Sequence, residues 1–329
     1  MDSARDARRE TPVVRPLLRL MAVVCVLAAS ACAAVTTTVR QPSDDGAWPV
    51  RMEARRVPLG VGGATLAPGV RYAGGLALYG ASLHGLSDLK LDGDSAWAVS
   101  DFGSLIRFTL RHDASGRLVG ADGATRRSLV DAEGLALRPK AHADSEGLAL
   151  LDDGRILVSF ERDDRIWSYG VGGAFRPVAV TMPDVGFSDN QGMEALATAP
   201  GGGWLVLGEA GGAWACDAAS CRALPAAPTT GDGDWRFTSA DRDPAGGWFV
   251  LERFYRPPLA FGARVRRMAS DGALGPVLIT LRPPASVDNF EGLAVRATPS
   301  GVRLYILSDD NAFPLERTLL MAFDIDSGR

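Results

Sequence analysis

Residues 288–310 carry the pattern that decides the fold. They read Asp-Asn-Phe-Glu-Gly-Leu-Ala-Val (288–295), then a Pro-Ser-Gly turn (299–301), then Leu-Tyr-Ile-Leu-Ser-Asp-Asp (304–310). The same order of lead acid, glycine turn, apolar run and closing acid recurs upstream, with lead acids at positions 88, 146, 194 and 241. Together with position 291, these acids are 58, 48, 47 and 50 residues apart. A period of about 40–50 residues built from short strands and glycine turns is typical of β-propeller blades.

The repeat predicts an all-β fold, a β-propeller of about six four-stranded blades, with five or seven blades also compatible. Residues 32–329 have room for about six such repeats. We expect the sixth blade to combine residues around 45–80 with the C-terminal run 318–325, which would close the ring and leave no exposed sheet edge. The longer first spacing contains an additional copy, Asp-Ala-Glu-Gly-Leu at 131–135, which indicates an insertion or a doubled lead strand.

The first 31 residues have the organisation of an export signal. Five arginines precede a short apolar stretch, Leu20–Ala31, which ends in small residues. This stretch is shorter than the about 20 residues that a membrane-spanning helix needs. We therefore expect a signal peptide at 1–31, a tether at 32–45 and one propeller domain at 46–329. An uncleaved membrane anchor is the alternative.

Two processing routes remain open. The sequence Leu-Ala-Ala-Ser-Ala-Cys (27–32) resembles a bacterial lipobox with Cys32 as the lipidated residue, although Ala29 stands where that pattern prefers leucine. Cleavage near Ala31 or Ala33 would instead release a soluble protein. Both routes predict an exported protein, periplasmic or an outer-membrane lipoprotein, that meets the membrane only through its signal or lipid anchor.

The charge and the cysteines restrict the partners. A net charge of −4 and a pI near 5.5 argue against a nucleic-acid partner, because such binding relies on an excess of cations. Cys216 and Cys221 predict a small loop disulfide in an exported chain, with a metal-binding pair as the alternative. Only Lys90 and Lys140 are lysines, so we expect arginine to bind any phosphate. We expect a monomer.

The repeated acids are expected to face one end of the central channel, because equivalent positions of successive blades do so. One set comes from the lead segments: Glu146, Glu194, Asp241 and Glu291. A second set ends the following strands: Asp101, Glu161, Glu209, Glu252 and Asp309. The alternative for each acid is that it only holds the backbone N–H groups of a turn.

Converging carboxylates need protons, arginine partners or a hard cation. Two like charges 4 Å apart repel by about 4 kcal/mol at an effective dielectric constant near 20. Ca²⁺, which takes six to eight oxygen ligands, is therefore the expected cofactor, and Asn190, Asn289 and Asn311 could add neutral oxygens. The sequence contains no histidine spacing of a zinc site, no G-x-S-x-G elbow and no Walker-type phosphate loop.

These motifs resemble the phytase-like family, whose members are labelled "esterase-like activity of phytase". The resemblance covers roughly residues 70–326. It rests on Asp-Ser-Glu-Gly-Leu-Ala (144–149), Ser-Phe-Glu-Arg (159–162), Asn-Gln-Gly-Met-Glu-Ala-Leu-Ala (190–197), Leu-Glu-Arg-Phe (251–254), and the segments 288–295 and 307–311.

The resemblance implies an exported bacterial β-propeller that hydrolyses a small phosphorylated or other ester substrate with the help of Ca²⁺. It implies that Arg162 and Arg253 bind the substrate phosphate, and that Glu291 or Glu194 acts as the catalytic base. It implies a metal-side set of carboxylates: Glu146, Glu161, Glu194, Glu252, Glu291, Asp309 and Asp310.

Two other functions remain open. The chain could be a non-catalytic envelope propeller that acts as a binding or scaffolding module, with acids that hold a structural cation or none. It could also be a carboxylesterase whose nucleophile carries no recognisable motif.

Overall fold

Five antiparallel sheets of four or five strands form the blades of a propeller. The computed structural model describes residues 46–170, 175–188, 191–229, 231–256 and 260–327. The expected signal peptide at 1–31, the tether at 32–45, Cys32 and Asn190 lie outside the described residues. The all-β propeller is confirmed. The count of five lies within the predicted range and is one below the expected six.

The described strands are short and are joined mainly by turns. In chain order they are β1 (Trp48–Pro49), β2 (Glu53–Arg56), β3 (Ala64–Leu66), β4 (Val70–Tyr79), β5 (Leu86–Asp92), β6 (Ser95–Ser100), β7 (Ser104–His112), β8 (Leu118–Ser128), β9 (Ser145–Leu150), β10 (Ile156–Phe160), β11 (Arg165–Tyr169), β12 (Pro177–Ala179), β13 (Met193–Thr198), β14 (Trp204–Gly208), β15 (Ala213–Cys216), β16 (Cys221–Ala223), β17 (Arg236–Arg242), β18 (Trp248–Arg256), β19 (Ala260–Met268), β20 (Leu274–Leu281), β21 (Asn289–Thr298), β22 (Gly301–Asp309) and β23 (Thr318–Asp326). The helical segments are α1 (Lys140–Ala143) and a 3₁₀ turn at Pro200–Gly202.

Each blade is a meander that starts at the axis. Blade 1 is β5–β8 with β1 at its outer edge, blade 2 is β9–β12, and blade 3 is β13–β16. Blade 4 is β17–β20 with β3 at its outer edge. The inner strands β5, β9, β13, β17 and β21 contact one another in that cyclic order, which defines the channel.

Blade 5 combines both ends of the propeller domain. Its order is β2–β4–β23–β22–β21, and β4 pairs with β23 from Leu78↔Thr318 to Val70↔Ile325. Residues around 45–80 and the C-terminal run do meet, as predicted, but they join the strands around Glu291 in one sheet. They do not form a separate sixth blade. The pairing still covers the sheet edges that an open ring would expose.

Apolar side chains fill the spaces between the blades. The described residues contain five buried clusters, one between each pair of neighbouring blades. Between blades 4 and 5, Phe249 and Val265 share a cluster with Leu293 and Phe323. Burial of each such side chain contributes about 1.5–3 kcal/mol, so the blade interfaces supply most of the cohesion of the ring.

The glycine of the repeated Glu-Gly-Leu-Ala motif permits close approach of neighbouring inner strands. A Cβ atom on Gly147 would lie 2.9 Å from the backbone nitrogen of Leu196 in blade 3. A Cβ atom on Gly292 would lie 2.9 Å from the backbone nitrogen of Leu89 in blade 1. A side chain here would therefore force the inner strands apart.

A buried ion pair fills the channel below the start of the inner strands. Lys90 Nζ donates to both oxygens of Asp88, at 2.8 and 2.7 Å, and to the carbonyl of Leu293 in blade 5. Asp88 also accepts hydrogen bonds from the Ser239 hydroxyl of blade 4 and from the Leu148 N–H of blade 2. One pair thus connects four blades at the axis.

Two further features of the described residues concern the connections and the surface. Cys216 and Cys221 are joined by a disulfide across the β15–β16 hairpin. No helix in the described ranges is long and apolar enough to cross a membrane.

Candidate functional site

Every inner strand has a β-bulge close to its start. At each bulge the inner strand has one residue more than the second strand of its blade. A bulge changes the direction in which its side chain points. The residues at the bulge are Ser87, Glu146, Glu194, Thr238 and Glu291.

This register brings Glu146, Glu194 and Glu291 to equivalent positions, as the sequence repeat predicted. Two other lead acids are displaced from the bulge. Asp88 lies one residue beyond it and turns into the channel toward Lys90. Asp241 lies three residues beyond it, where it accepts the backbone N–H of Val295 at 2.7 Å. These two acids therefore hold inner strands together and do not join the other three.

A second ring lies at the ends of the second strands. In each blade the residue just before the bulge pairs with a residue of the second strand. The next residue of that second strand is an acid in four blades and an arginine in blade 4. We call the channel end that carries this ring and the three bulge glutamates the mouth. The ring residues are Asp101, Glu161, Glu209, Arg253 and Asp309.

Glu252 lies apart from this ring. It stands one residue before Arg253 on β18, and successive side chains of a strand point to opposite faces. Its carboxylate receives two hydrogen bonds from Arg264, at 2.7 and 2.6 Å, and lies 3.2 Å from Arg266 Nε. The structure thus places Glu252 in a buried ion pair inside blade 4, away from the other predicted metal-side acids.

Arg253 is the cation at the centre of the mouth. Its Nη2 lies 3.4 Å from Glu291 Oε1 and 3.6 Å from Glu209 Oε1. Its buried Nε has no hydrogen-bond partner among the described residues. Burial lowers the pKa of the Arg253 guanidinium, but the attraction of Glu291, Glu194, Glu209 and Glu146 exceeds that effect and raises it overall. Arg253 therefore stays charged and keeps donor capacity for an oxygen of a bound molecule.

The surroundings of two bulge glutamates affect their pKa values differently. Burial raises the pKa of Glu194 well above its usual range, and repulsion from Glu209 and Glu291 adds to the effect. Burial also raises the pKa of Glu291, but Arg253 and the amide of Asn289, which donates to Oε1 at 2.7 Å, oppose it. Glu194 thus favours its protonated form more strongly than Glu291 does.

Glu146 and the ring acids respond to the same crowding. Burial, followed by repulsion from Glu194 and Glu291, raises the pKa of Glu146 well above its usual range. Burial and the neighbouring Glu291 raise the pKa of Asp309 to about 8. Burial raises the pKa of Asp101 despite its ion pair with Lys140. Without another cation, the mouth carries several acids that resist ionisation at neutral pH.

Three carboxylates of blade 2 converge as a set that could hold a metal ion. Asp144, Glu146 and Glu161 each offer an oxygen, and these oxygens lie within 4.8 Å of one another. The buried Oδ2 of Asp144 has no hydrogen-bond partner among the described residues, although Arg162 Nη1 lies 3.0 Å away. We call Asp144, Glu146 and Glu161 the carboxylate trio. Three hard oxygen donors with an unsatisfied buried oxygen suit a cation such as Ca²⁺.

Lys140 and Arg162 line the trio on its solvent side. Lys140 Nζ lies 2.5 Å from Asp144 Oδ1 and 3.0 Å from Asp101 Oδ2, so it bridges blades 1 and 2. Arg162 has a positive φ of 65°, a strained conformation for a residue with a side chain. The expectation that arginine alone faces an anion at the mouth is therefore incomplete, because one of the two lysines also lies there.

Asp310 is held by hydrogen bonds of its own. Its Oδ2 lies 2.8 Å from His84 Nδ1 and 3.1 Å from the Thr318 hydroxyl. Its Oδ1 accepts the N–H groups of Gly85 and Ala312. Asp310 thus lies at the rim beside Asp309, with its oxygens already occupied.

The structure brings together most of the predicted site residues. Those at the mouth are Glu146, Glu161, Arg162, Glu194, Arg253, Glu291 and Asp309, with Asp310 at its rim. Asn289 donates its amide to Glu291, and the Asn311 amide donates to Glu316. The repeat does not select Asp144 as a ligand, although Asp144 opens the motif at 144–149, and it gives no role to Lys140, which lies in α1 in an inter-blade connection.

One family model and several solved structures are similar to this chain. The model of the phytase-like family, described as "Phytase-like: Esterase-like activity of phytase", matches residues 81–312. No curated protein matches the sequence. Among solved structures, a proposed gluconolactonase is similar at 14% identity and a TM-score of 0.45, with 87% of this chain and 97% of that chain covered.

Two further solved structures show the same level of similarity. The major allergen Mala s 1 of Malassezia sympodialis has 14% identity and a TM-score of 0.43, with 79% of this chain and 92% of that chain covered. Virginiamycin B lyase from Staphylococcus aureus, crystallised as an inactive variant with quinupristin, has 10% identity and a TM-score of 0.42, with 84% and 100% covered.

Proposed function

Because this chain belongs to the phytase-like family, we propose that it is an exported hydrolase of phosphoesters or other esters that works at the propeller mouth with the help of Ca²⁺. The observation that carries the proposal is the convergence of acids from blades 2, 3 and 5 on Arg253 of blade 4. The protein would act as a periplasmic enzyme or outer-membrane lipoprotein, as a monomer, on a small-molecule substrate and not on nucleic acid.

The carboxylate trio fits the expected cation. Asp144, Glu146 and Glu161 would hold it, because they offer three oxygens within 4.8 Å and one of these oxygens lacks a hydrogen bond. When bound, Ca²⁺ supplies positive charge that stabilises substrate oxygens and acidifies a nearby water.

The chain's own cations would bind the substrate. Arg253 has a buried Nε without a hydrogen-bond partner among the described residues, and Lys140 and Arg162 form ion pairs with Asp144 of the trio. Arginine presents its donors in a planar fork that matches the oxygens of a phosphate or carboxylate. These three side chains would orient the ester so that its reacting atom faces the bulge glutamates.

Glu291 and Glu194 would divide the proton transfers. Two titratable groups whose surroundings separate their pKa values mark an acid and a base. Arg253 and Asn289 limit the rise in the pKa of Glu291, so Glu291 would be the base. It would accept a proton at Oε2, since Oε1 already accepts a hydrogen bond from the Asn289 amide. Glu194, whose pKa is raised well above its usual range, would hold a proton and donate it to the leaving oxygen.

The test is hydrolysis by the purified protein. We expect cleavage of p-nitrophenyl phosphate, p-nitrophenyl acetate or an inositol phosphate, loss of that activity in EDTA, and recovery on addition of Ca²⁺. Glu291→Gln and Glu194→Gln should each reduce kcat about 100-fold or more, in the range for general acid–base catalysis. The exposed Glu133→Gln, in the connection between blades 1 and 2, is the matched control. Turnover that EDTA does not change would contradict the mechanism.

One observation favours a second candidate function, a non-catalytic propeller for binding or scaffolding. Asp310, Asp241 and Glu252 are acids of the repeat whose oxygens are occupied by hydrogen bonds or ion pairs within the chain. If the remaining acids also serve the structure, no ester on a broad panel would be cleaved. Glu291→Gln would then change the melting temperature alone.

A further inference from the structure

Several exposed aromatic side chains lie close in sequence to residues of the mouth. Among the described residues, the large aromatics with the greatest exposure are Tyr79 (44%), Phe102 (45%), Tyr255 (45%) and Phe313 (49%). Phe102 directly follows Asp101, Tyr255 stands two residues after Arg253, and Phe313 stands three residues after Asp310. Tyr79 ends β4 next to the start of β23, where the loop carrying Phe313 returns.

Exposed aliphatic side chains follow the same distribution. Leu135, Val185 and Leu315 are exposed, and all three lie in connections that begin or end at the mouth. Val61 and Val178 are exposed elsewhere, in the loop before β3 and on the outer strand of blade 2. Single exposed apolar residues are normal on a protein surface. Phe102 and Phe313 differ from the others because they adjoin the acids Asp101 and Asp310 of the mouth.

The balance of charge at the mouth disfavours a highly charged substrate. Nine carboxyl groups lie there: Asp101, Asp144, Glu146, Glu161, Glu194, Glu209, Glu291, Asp309 and Asp310. Three lysine or arginine side chains form ion pairs with them: Lys140, Arg162 and Arg253. Burial and mutual repulsion already raise the pKa of several of these acids, so each additional negative group of a substrate meets repulsion or requires a further acid to take up a proton.

From these two observations we infer that the substrate is a monoester whose apolar alkyl or aryl group packs on the aromatic rim while its single anionic or polar head reaches Arg253 and the trio. This inference rests on the proposed function and specifies its substrate class. Phe102 carries the argument furthest, because its ring lies 5.6 Å from Lys140 Nζ, which itself contacts Asp101 and Asp144. One side chain thus borders both the apolar rim and the charged mouth.

The test is calorimetric binding of an alkyl phosphate series, methyl, butyl and octyl phosphate, to the full protein in Ca²⁺. Burial of a methylene group is worth about 0.8 kcal/mol at most, so affinity should rise about two- to fourfold per methylene, which amounts to about 100-fold or more from methyl to octyl. The double variant Phe102→Ser, Phe313→Ser should bind methyl phosphate as the wild type does and lose most of the dependence on chain length. Leu315→Ser tests the same loop away from the carboxylates. Val61→Ser, at a site 94% exposed outside the mouth, is the control.

Several outcomes would overturn the inference. One is an affinity that does not depend on chain length. Another is tighter binding of inositol hexakisphosphate than of octyl phosphate. A third is binding of the protein to phosphatidylcholine vesicles while the three alkyl phosphates bind with equal affinity. Hydrolysis of the same compounds is followed in parallel. Chain-length-dependent binding without hydrolysis would contradict the proposed function and support the inference, whereas hydrolysis without chain-length dependence would contradict the inference alone.

Discussion

Arg253 and Asp309 occupy equivalent positions at the ends of the second strands of blades 4 and 5. In the other three blades the same position holds Asp101, Glu161 and Glu209. One blade of the five thus replaces an acid with a base, and the replacement supplies the counterion for its own ring. The mouth is therefore an acidic ring with a built-in cation, a different arrangement from a plain ring of carboxylates.

Loss of that cation should destabilise the protein in a pH-dependent way. Arg253→Gln leaves buried glutamates without their partner, and removal of one member of a buried ion pair costs about 3–5 kcal/mol. We expect a loss of this size in the free energy of unfolding at pH 8, measured by urea denaturation, and a smaller loss at pH 5, where the glutamates can take up protons. The exposed Arg242→Gln at the far end of β17 is the control. Equal losses at both pH values would mean that packing, and not charge, explains the effect.

The crowded acids predict that stability falls as the pH rises. Asp309 has a pKa of about 8 in the folded chain against a usual 3.8, so the folded state binds more protons than the unfolded state between these values. The contribution of Asp309 to the free energy of unfolding is therefore greatest below pH 4. Between pH 4 and pH 8 this contribution decreases by about 1.4 kcal/mol per pH unit for each proton that only the folded state retains. In EDTA, Asp309→Asn should flatten this slope.

A turn acid outside the mouth is the control for the pH experiment. The pKa of exposed Asp217 is lowered by the N–H groups of Ala219 and Ser220. Asp217→Asn should therefore leave the slope between pH 5 and 8 unchanged. If Asp309→Asn also leaves it unchanged, the acids at the mouth are already ionised and the argument from crowding is wrong.

Ca²⁺ should stabilise the protein through the carboxylate trio. A ligand at 100 times its Kd adds about 2.7 kcal/mol to the free energy of unfolding, and tenfold weaker binding removes about half of that gain. We expect Asp144→Asn to weaken Ca²⁺ binding at least tenfold in a calorimetric titration and to reduce the shift in melting temperature. Glu252→Gln breaks the pair with Arg264 and lowers stability, but it should keep the full Ca²⁺-dependent shift. An unchanged shift in Asp144→Asn would show that the ion binds elsewhere.

The ion pair in the channel should be strongly coupled. Lys90→Met leaves the Asp88 carboxylate buried without its cation, and burial already raises the pKa of Asp88 to about 6 with Lys90 present. We expect a loss of about 3–5 kcal/mol in the free energy of unfolding. The double variant Asp88→Asn, Lys90→Met should recover much of it, and the double-mutant cycle measures the coupling. Additive losses would show that the two side chains act independently.

The sequence repeat predicted the propeller architecture because one repeat corresponds to one blade. It also predicted the equivalent positions of the glutamates in blades 2, 3 and 5. The register within the blades was harder, since one bulge per inner strand shifts the alignment and displaces Asp88 and Asp241. For the same reason the repeat predicts Glu252 as the ring member of blade 4, where the structure has Arg253. The alignment of Trp-Leu-Val-Leu-Gly-Glu (204–209) with Trp-Phe-Val-Leu-Glu-Arg (248–253) contains the correct register, because it pairs Glu209 with Arg253.

Two elements could not be predicted from the repeat. The blade count depends on whether the terminal strands form their own sheet or complete another, which is decided by packing between β4 and β23. Lys140 and Asp144 stand in a connection between blades, where no periodicity indicates which side chains reach the mouth.

The shared sheet of blade 5 has a consequence for biosynthesis. Its strands β2 and β4 are made first and must wait, with β4 unpaired on one side, until β23 at the opposite terminus has left the ribosome. A premature stop codon anywhere before residue 318 would therefore yield a chain with a permanently open β4 edge, a template for aggregation. Proteolytic removal of the last nine-residue strand from the mature protein would have the same effect as that stop codon.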